Sequence, residues 1–305
     1  MKQKLFQAWA LRLKSLRERI VSLFDLPLTR VVLPNGIELN YIRAGSGPSL
    51  IFIHGAMGDW RACAPQWSAF TEQFDCISYS RRYSHPNPNQ LNTRHHNALV
   101  DAADLEGLMD ALGIEKAVLV GSSYGGFTAL AMALRAPERV QAVVSVEAPM
   151  MRYALESDNG AKIAQDFLNA SALPARDAFE RGDDAEGVAL LTGGIVGKAV
   201  NDIPAAVMER RMLNAKAARS LALSDDEFPW LEPSDLAQLP MPVLLLSGAQ
   251  TAPVHGAIFK AVAAAMPQAK AHKVKGAGHS VNQQAPESFN RLVLDFLRNA
   301  LAETV

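Results

Sequence analysis

The 305-residue chain is 49% hydrophobic and carries a formal net charge of −1. This hydrophobic content suffices to bury a sizeable core and is too high for a disordered chain. The near-zero net charge supplies no overall field to attract nucleic acid or an anionic membrane, so we expect no nucleic-acid partner. The length suits one large α/β domain with an insertion, or two small domains.

The two cysteines, Cys63 and Cys76, are too few for a disulfide framework. Cys76 lies in an apolar stretch and is expected to be a small buried residue. This cysteine usage fits a reducing compartment, and we expect the protein to be cytoplasmic.

Residues 1–28 are predicted to form a separate N-terminal amphipathic helix. Basic residues fall between apolar ones that recur at helical spacing: Leu5, Trp9, Leu13, Leu16, Ile20 and Leu23. Charges interrupt every apolar run, which argues against a transmembrane span, and no small-residue cleavage site follows for a signal peptide. We expect the apolar stripe to pack on its own domain or on a second subunit of a homo-oligomer. Peripheral membrane contact is the alternative.

From Thr29 onward, short apolar strands alternate with amphipathic helices. The predicted strands are residues 31–33, 37–43, 50–54, 76–79, 117–120, 142–146, 243–247 and 271–274, the first two joined in a hairpin. The predicted helices between and after them are residues 97–112, 124–135, 254–265 and 286–301. The later strands are almost continuously apolar, as expected when helices cover both faces of a parallel sheet. The pattern therefore indicates a doubly wound, mostly parallel α/β sheet.

One connection is too long for this scheme. Between the strands ending near residue 146 and starting at residue 243, the chain offers helical stretches at residues 161–169, 185–194 and 205–221 and no convincing strand. Because a structureless loop of this size is improbable, we expect residues 150–238 to form a helical cap. The core domain would then comprise residues 29–149 and 239–305.

Residues 121–126 contain the pattern G-x-S-x-G, with Ser123 as the serine. An apolar strand precedes the pattern and a helical segment follows it, which is the strand–turn–helix context that a nucleophile elbow requires. The flanking glycines remove side chains where the turn is tight. The helix N-terminus beneath the serine offers N–H groups to a developing oxyanion. We therefore predict that Ser123 is a nucleophile.

With these motifs the chain resembles the α/β-hydrolase superfamily, specifically its capped serine esterase, lactonase and C–C hydrolase branch. The resemblance runs from about Thr29 to the C-terminus. Residues 53–56 (IHGA) look like the loop after strand 3, and residues 276–279 (GAGH) look like the loop of the catalytic histidine. It implies a His279 general base and an oxyanion hole made by the backbone N–H groups of Ala56 and Tyr124. It also implies a small-molecule substrate and no cofactor or metal; no histidine spacing resembles a zinc site.

The acid of the triad departs from the family pattern. The usual aspartate position, after strand 243–247, holds Thr251, and no Asp or Glu occurs between Asp235 and Glu287. Some relatives carry the acid one strand earlier, where this chain has Glu147. A carboxylate there can hold the tautomer of the histidine, so we predict Glu147 as the acid. The alternative is a structural Glu147 and a Ser–His dyad.

Two further residues are candidate substrate contacts. Arg82 replaces a glycine of the family pattern after strand 4 and adds a cation near the cleft. It could bind an acidic group of a substrate, or pair with an internal carboxylate or solvent. Met57 follows the predicted oxyanion residue Ala56. His54 is expected to have a structural role, orienting the loop after strand 3.

The resemblance thus implies a serine hydrolase that cleaves an ester, lactone or thioester through an acyl-enzyme on Ser123. Three alternatives stay open from the sequence: an acyltransferase on the same site, a C–C bond hydrolase, and a non-catalytic ligand-binding protein with a decayed site. The residues of the cap do not predict which substrate it selects, so the substrate cannot be identified from the sequence.

Overall fold

The structure, a computed structural model, describes residues 22–302. Most of the predicted N-terminal helix therefore lies outside the described residues. Its last residues form a short 3-10 helix, Leu23–Asp25, in which the side chain of Ser22 accepts a hydrogen bond from the backbone N–H of Phe24 at 3.3 Å. Leu23 is 2% exposed and packs into the core, so this end of the segment is fixed on the sheet domain.

Eight strands form one twisted sheet. They are β1 (Thr29–Val32), β2 (Glu38–Gly45), β3 (Ser49–Ile53), β4 (Asp75–Tyr79), β5 (Ala117–Ser122), β6 (Val140–Val146), β7 (Val243–Gly248) and β8 (Lys270–Val274). The spatial order is β1-β2-β4-β3-β5-β6-β7-β8. Strand β2 is antiparallel to β1 and β4, and every other pairing is parallel. The predicted mostly parallel α/β fold is confirmed.

Thirteen α-helices accompany these strands in the described part of the chain: α1 (Ala64–Thr71), α2 (Ala98–Ala111), α3 (Tyr124–Arg135), α4 (Met151–Leu155), α5 (Ala161–Phe167), α6 (Leu173–Glu180), α7 (Asp184–Val196), α8 (Ala205–Met212), α9 (Ala215–Ala222), α10 (Pro233–Leu236), α11 (Pro253–Ala265), α12 (Val281–Gln284) and α13 (Pro286–Ala302). Helices α2, α3 and α11 pack on one face of the sheet, and α1 and α13 on the other. Each face of the sheet is thus buried, which explains the continuous apolar strands.

Helices α4 to α10 all lie between β6 and β7, and we call residues 151–236 the helical insert. It carries a small apolar cluster of its own, centred on Phe179 and Val188, against which Met57 of the sheet domain packs. The helical stretch predicted over residues 205–221 is helical but interrupted, because the chain forms α8 and α9 with a break at Asn214. The side chain of Asn214 leaves the helix pattern to donate to Asp59 at 2.9 Å and to accept from the N–H of His85 at 2.9 Å.

The turn from β5 into α3 presents Ser123 at the carboxyl edge of the sheet. It is possible only because two glycines let the backbone pass closely. A Cβ at Gly121 would lie 2.2 Å from the carbonyl oxygen of Gly125, and a Cβ at Gly125 would lie 2.1 Å from that of Ile53. Both distances are far inside van der Waals contact and both neighbours are backbone, so no side chain can move aside. The predicted strand–turn–helix is present.

Substitution of Gly125 tests this steric requirement. We expect Gly125→Ala to destabilise the fold by about 2 kcal/mol or more, because overpacking against backbone costs roughly 1–3 kcal/mol even where some relaxation occurs. Gly256→Ala, in helix α11, is the matched control. Its new Cβ meets only a Thr251 methyl at 3.9 Å, so it should be neutral or stabilising by up to about 1 kcal/mol. Urea unfolding of both variants makes the comparison, and equal stability would contradict the steric argument.

Candidate active site

Ser123 occupies a backbone conformation that few residues other than glycine adopt, with φ 53° and ψ −123°. The surrounding backbone holds it there. Its N–H donates to the carbonyl of Val146 at 2.7 Å, and its own carbonyl accepts from Gly126 at 2.8 Å and Phe127 at 3.2 Å. Strain of this kind persists only where neighbours over-determine it, and it clusters at functional sites. The side chain of Ser123 is therefore displayed in a fixed direction at the start of α3.

His279 lies in the loop after β8 and is 8% exposed. Its Nδ1 lies 2.7 Å from Oε2 of Glu147. A carboxylate can only accept, so Nδ1 carries the proton of the neutral ring and Nε2 is left as the acceptor. The hydrogen bonds of the described residues do not include one between Ser123 and His279; such contacts often tighten only when substrate binds.

Glu147 directly follows β6 and is the second residue with a positive φ outside glycine in the described chain, at 45°. Glu147 is 3% exposed, and its carboxylate accepts four hydrogen bonds. Oε1 accepts from Ser247 Oγ at 2.7 Å and Gly248 N at 2.8 Å, and Oε2 from Thr251 Oγ1 at 2.8 Å and His279 Nδ1 at 2.7 Å. Burial by itself would raise the pKa of Glu147, but the hydrogen bond from His279 and the other donors hold that pKa below its usual value.

The structure thus brings the predicted acid and base into direct contact. Thr251, which occupies the family's usual acid position, is one of the donors that hold Glu147 in place. Ser123 is tied to the same corner, because its N–H bonds to the residue immediately before Glu147. The three predicted catalytic residues therefore follow β5, β6 and β8, at one edge of the sheet.

The backbone N–H groups of Ala56 and Tyr124 lie near Ser123 and have no acceptor within residues 22–302. Tyr124 is the first residue of α3, where a helix leaves its N–H groups unpaired. The loop holding Ala56 abuts the serine, since a Cβ at Gly55 would lie 3.1 Å from Cβ and 3.6 Å from Oγ of Ser123. Free donors at this position can stabilise an oxyanion.

His54 braces the loop that carries Ala56. Its Nε2 accepts from the N–H of Arg81 at 2.9 Å, which leaves Nδ1 to donate to the carbonyl of Gly55 at 2.8 Å. Burial, followed by the charge of Arg81, lowers the pKa of His54 to about 4, so the ring stays neutral at physiological pH. Arg81 itself is ion-paired with buried Asp101 and donates to the carbonyl of Gly55 at 3.2 Å. The contacts are those of the predicted structural role.

Arg82 is not positioned as a substrate contact. Its guanidinium makes a two-point ion pair with Asp104, with Nε–Oδ2 2.7 Å and Nη2–Oδ1 2.6 Å, and the side chain of Asp104 is 2% exposed. A cation held by a buried carboxylate in this fork geometry is not free to bind another acid. The substrate-binding interpretation of Arg82 is therefore corrected in favour of the internal pair. Met57, in contrast, lines a large cavity beside His279.

That cavity has a volume of about 730 Å³. Its walls are residues 57–62 after β3, residues 276–284 with His279 and helix α12, and residues 196–214 of the helical insert. The insert thus roofs the space next to the histidine. A cavity of this size is within the range that encloses small to medium-sized organic ligands.

His255 is a site residue that sequence reasoning missed. Its ring stacks on that of His279, with centroids 4.0 Å apart and an interplanar angle of 26°. Nε2 donates to the carbonyl of Ile195 at 3.0 Å, which links His279 to the helical insert through His255. Burial, followed by the charge of His279, lowers the pKa of His255, so this ring is neutral. Only its position could have indicated a place in the site, since it lies four residues after Thr251, at the start of α11.

Glu147, His255 and His279 each place one potential ligand atom within 4.8 Å of the others, a donor set that could hold a metal ion. No residue spacing in the sequence indicates this set, because the three residues come from separate elements. Both oxygens of Glu147 already accept hydrogen bonds, one of them from His279. We therefore assign the cluster to proton chemistry.

Comparison with known proteins identifies the family. Residues 48–286 match the family model described as the alpha/beta hydrolase fold. The chain is 28% identical over 254 residues to the carboxylesterase YbfK of Bacillus subtilis (strain 168), covering 82% of this chain and 80% of that protein. It is 28% identical over 275 residues to the putative carbamate hydrolase RutD of Caulobacter sp. (strain K31), covering 85% and 94% of the two proteins.

Among solved structures, the crystal structure of carboxylesterase CesB (YbfK) from Bacillus subtilis superimposes with a TM-score of 0.66 at 24% identity. The match covers 94% of this chain and 97% of that one. The chain belongs to the α/β-hydrolase fold family. It is a hydrolase, in agreement with its relatives and with the site described above. Within the described residues, the helices lack the combined length and apolar character of a membrane span.

The stacking of His255 on His279 predicts a graded response to substitution. We expect His255→Leu to lower kcat roughly three- to tenfold, because an aromatic pair contributes about 0.5–1.5 kcal/mol to holding the ring. His255→Phe keeps an aromatic face and should lower kcat by less than about threefold. Steady-state kinetics on an ester substrate checks this order. If Leu and Phe have the same effect, the ring contact does not position His279.

Proposed function

We propose that the protein is a serine hydrolase that cleaves carboxylic esters, lactones or thioesters through an acyl-enzyme on Ser123. The observation that carries the proposal is the 2.7 Å contact between Nδ1 of His279 and the buried carboxylate of Glu147. Ser123 is held at the same strand edge by its bond to Val146. These contacts support a nucleophile, a base with a free Nε2 and an orienting acid as the members of a catalytic triad.

In the first step, Ser123 Oγ attacks the carbonyl carbon of the substrate while Nε2 of His279 takes the hydroxyl proton. The resulting imidazolium is stabilised by Glu147, which stays ionised because its pKa is held low. The oxyanion of the tetrahedral intermediate accepts from the N–H groups of Ala56 and Tyr124. The imidazolium then protonates the leaving oxygen or sulfur, the bond to the leaving group breaks, and the acyl-enzyme remains.

In the second step, His279 removes a proton from water, which attacks the acyl carbon. The oxyanion forms again in the same place. The proton returns to Ser123 Oγ as the acid product departs. Because one histidine serves as base and then acid in each half-reaction, its tautomer must be fixed, and Glu147 is the group that fixes it.

The substrate class follows from the cavity and from the relatives. We propose that the helical insert acts as a cap and selects small to medium-sized substrates, since its residues roof the cavity beside His279. One relative is named a carboxylesterase and another a putative carbamate hydrolase, and both names describe hydrolysis at a carbonyl carbon that bears a heteroatom. These names support attack at an acyl carbonyl as the proposed chemistry of this site.

Fluorophosphonate labelling tests the assignment of the nucleophile. We expect wild type to be labelled at Ser123 and to hydrolyse short-chain 4-nitrophenyl esters. Ser123→Ala should lose label and at least about 10³-fold in kcat, because removal of a triad nucleophile abolishes the covalent path. Ser122→Ala, one residue away on the same turn, is the matched control and should keep both. Labelling that persists in Ser123→Ala would place the nucleophile elsewhere.

A further inference from the structure

One side chain of the cavity beside His279 lacks a partner. Arg211 lies on α8 in the helical insert and lines this cavity. Its Nη1 is sealed from solvent and has no hydrogen-bond acceptor. No carboxylate of residues 22–302 forms an ion pair with its guanidinium. A buried donor that the protein itself does not satisfy calls for an external acceptor.

Because Arg211 is charged, the lack of an acceptor for its Nη1 destabilises the folded protein. Burial lowers the pKa of Arg211 to about 10, yet the guanidinium is still protonated at neutral pH. Folded proteins nearly always pair buried charges, because an isolated one forfeits its hydration. Arg81 and Arg82 follow that rule, each with a buried aspartate. Arg211 is half-buried and has no carboxylate partner among residues 22–302, and it lies on the wall of the cavity that contains the proposed general base.

The rest of the cavity reinforces the positive charge. Its charged wall residues, apart from the histidine, are four cations and two carboxylates: Arg61, Lys198, Arg210, Arg211, Asp59 and Asp202. Asp59 is already neutralised by Arg61 at 2.6 Å and bonded to Asn214, so it does not offset Arg211. The side chain of Arg210 donates to the carbonyl of Ala206 and is exposed. The cavity therefore favours an anion over a neutral or cationic group.

We propose that Arg211 binds a carboxylate carried by the substrate, so that the natural substrate is an ester, lactone or thioester with a second, ionised carboxyl group. A guanidinium matches a carboxylate with two parallel N–H···O bonds, which would satisfy the buried Nη1 and fix the orientation of the substrate. The inference rests on the proposed function, because it assigns the far end of a substrate whose carbonyl Ser123 attacks. The proposal assigns substrate specificity to Arg211 of the helical insert rather than to Arg82.

A matched pair of substrates tests the proposal. Mono-4-nitrophenyl adipate carries a terminal carboxylate, and its terminal amide has nearly the same shape without the charge. We expect Arg211→Gln to lower kcat/KM for the adipate ester roughly 10- to 100-fold, mainly through KM, since hydrogen bonds to charged groups are the strong ones. The amide should change by less than about threefold. Arg211→Lys, which keeps the charge but loses the fork, should fall between wild type and Arg211→Gln for the adipate ester.

Arg210→Gln is the matched control, because it removes an exposed cation from the same cavity wall and leaves Arg211 in place. It should change both substrates by less than about threefold, as expected for an exposed charge. Arg211→Gln should also leave the melting temperature unchanged or raise it, because a half-buried charge without a partner does not stabilise the fold. An equal effect of Arg211→Gln on the two substrates, or no effect on either, overturns the proposal.

A binding measurement separates this inference from the proposed function. Titration calorimetry on Ser123→Ala needs no turnover and uses the straight-chain dicarboxylates from succinate to suberate. At least one should bind, and Arg211→Gln introduced into the same protein should weaken it at least tenfold. If turnover fails but this binding is present, the catalytic assignment is wrong and the anion site stands. If none of the series binds, or if binding is independent of Arg211, the anion site is wrong whatever Ser123 does.

Discussion

The contact between the buried carboxylate of Glu147 and the ring of His279 is the interaction on which the rest of the site depends. Burial alone would favour the neutral acid, and only the sum of its donors keeps the carboxylate ionised. Those donors come from β7, from the turn after it and from the loop after β8. The carboxylate therefore ties together the elements that position the base. The positive φ of Glu147, at 45°, is the local strain that this network holds in place.

The same network explains why Thr251 can replace an aspartate. A carboxylate at residue 251 would stand beside the carboxylate of Glu147, and two like charges at hydrogen-bond distance cannot both ionise readily. A threonine instead donates its hydroxyl to Oε2 at 2.8 Å. The proposed acid at the end of β6 and the hydroxyl donor at residue 251 are thus parts of one hydrogen-bonded arrangement. Thr251 supplies a hydrogen bond to Glu147, and Glu147 supplies the carboxylate that residue 251 lacks.

Much of this could be predicted from the sequence, because the signals were local. The strand patterns predicted all eight strands, most of them as apolar runs, and the glycines around Ser123 predicted the turn that the steric contacts of Gly121 and Gly125 require. Glu147 was predicted as the acid because no Asp or Glu lies near Thr251, the usual acid position. The donors to its carboxylate were not predictable, because Ser247 and Thr251 lie about a hundred residues away from it.

The features that the sequence did not reveal depend on contacts between distant residues. His255 has no motif of its own and acquires its place only by stacking on His279. The break between α8 and α9 follows from a bond between Asn214 and Asp59, 155 residues apart. For Arg82 the internal pair was one of two interpretations, but Asp104 could not be singled out. The unpaired state of Arg211 is a property of the whole cavity wall, and no pattern of neighbouring residues encodes it.

Replacing Glu147 tests the central claim most directly. The measurement is kcat on one ester for wild type, Glu147→Gln, and Glu147→Gln combined with Thr251→Asp. Glutamine keeps the shape but cannot stabilise the imidazolium, so kcat should fall by roughly 10²–10⁴, in line with loss of the acid in serine proteases. The double variant returns a carboxylate to the family's usual strand and should recover part of that loss. A value for Glu147→Gln within about threefold of wild type, under roughly 1 kcal/mol in activation free energy, would contradict the account and leave a Ser123–His279 dyad.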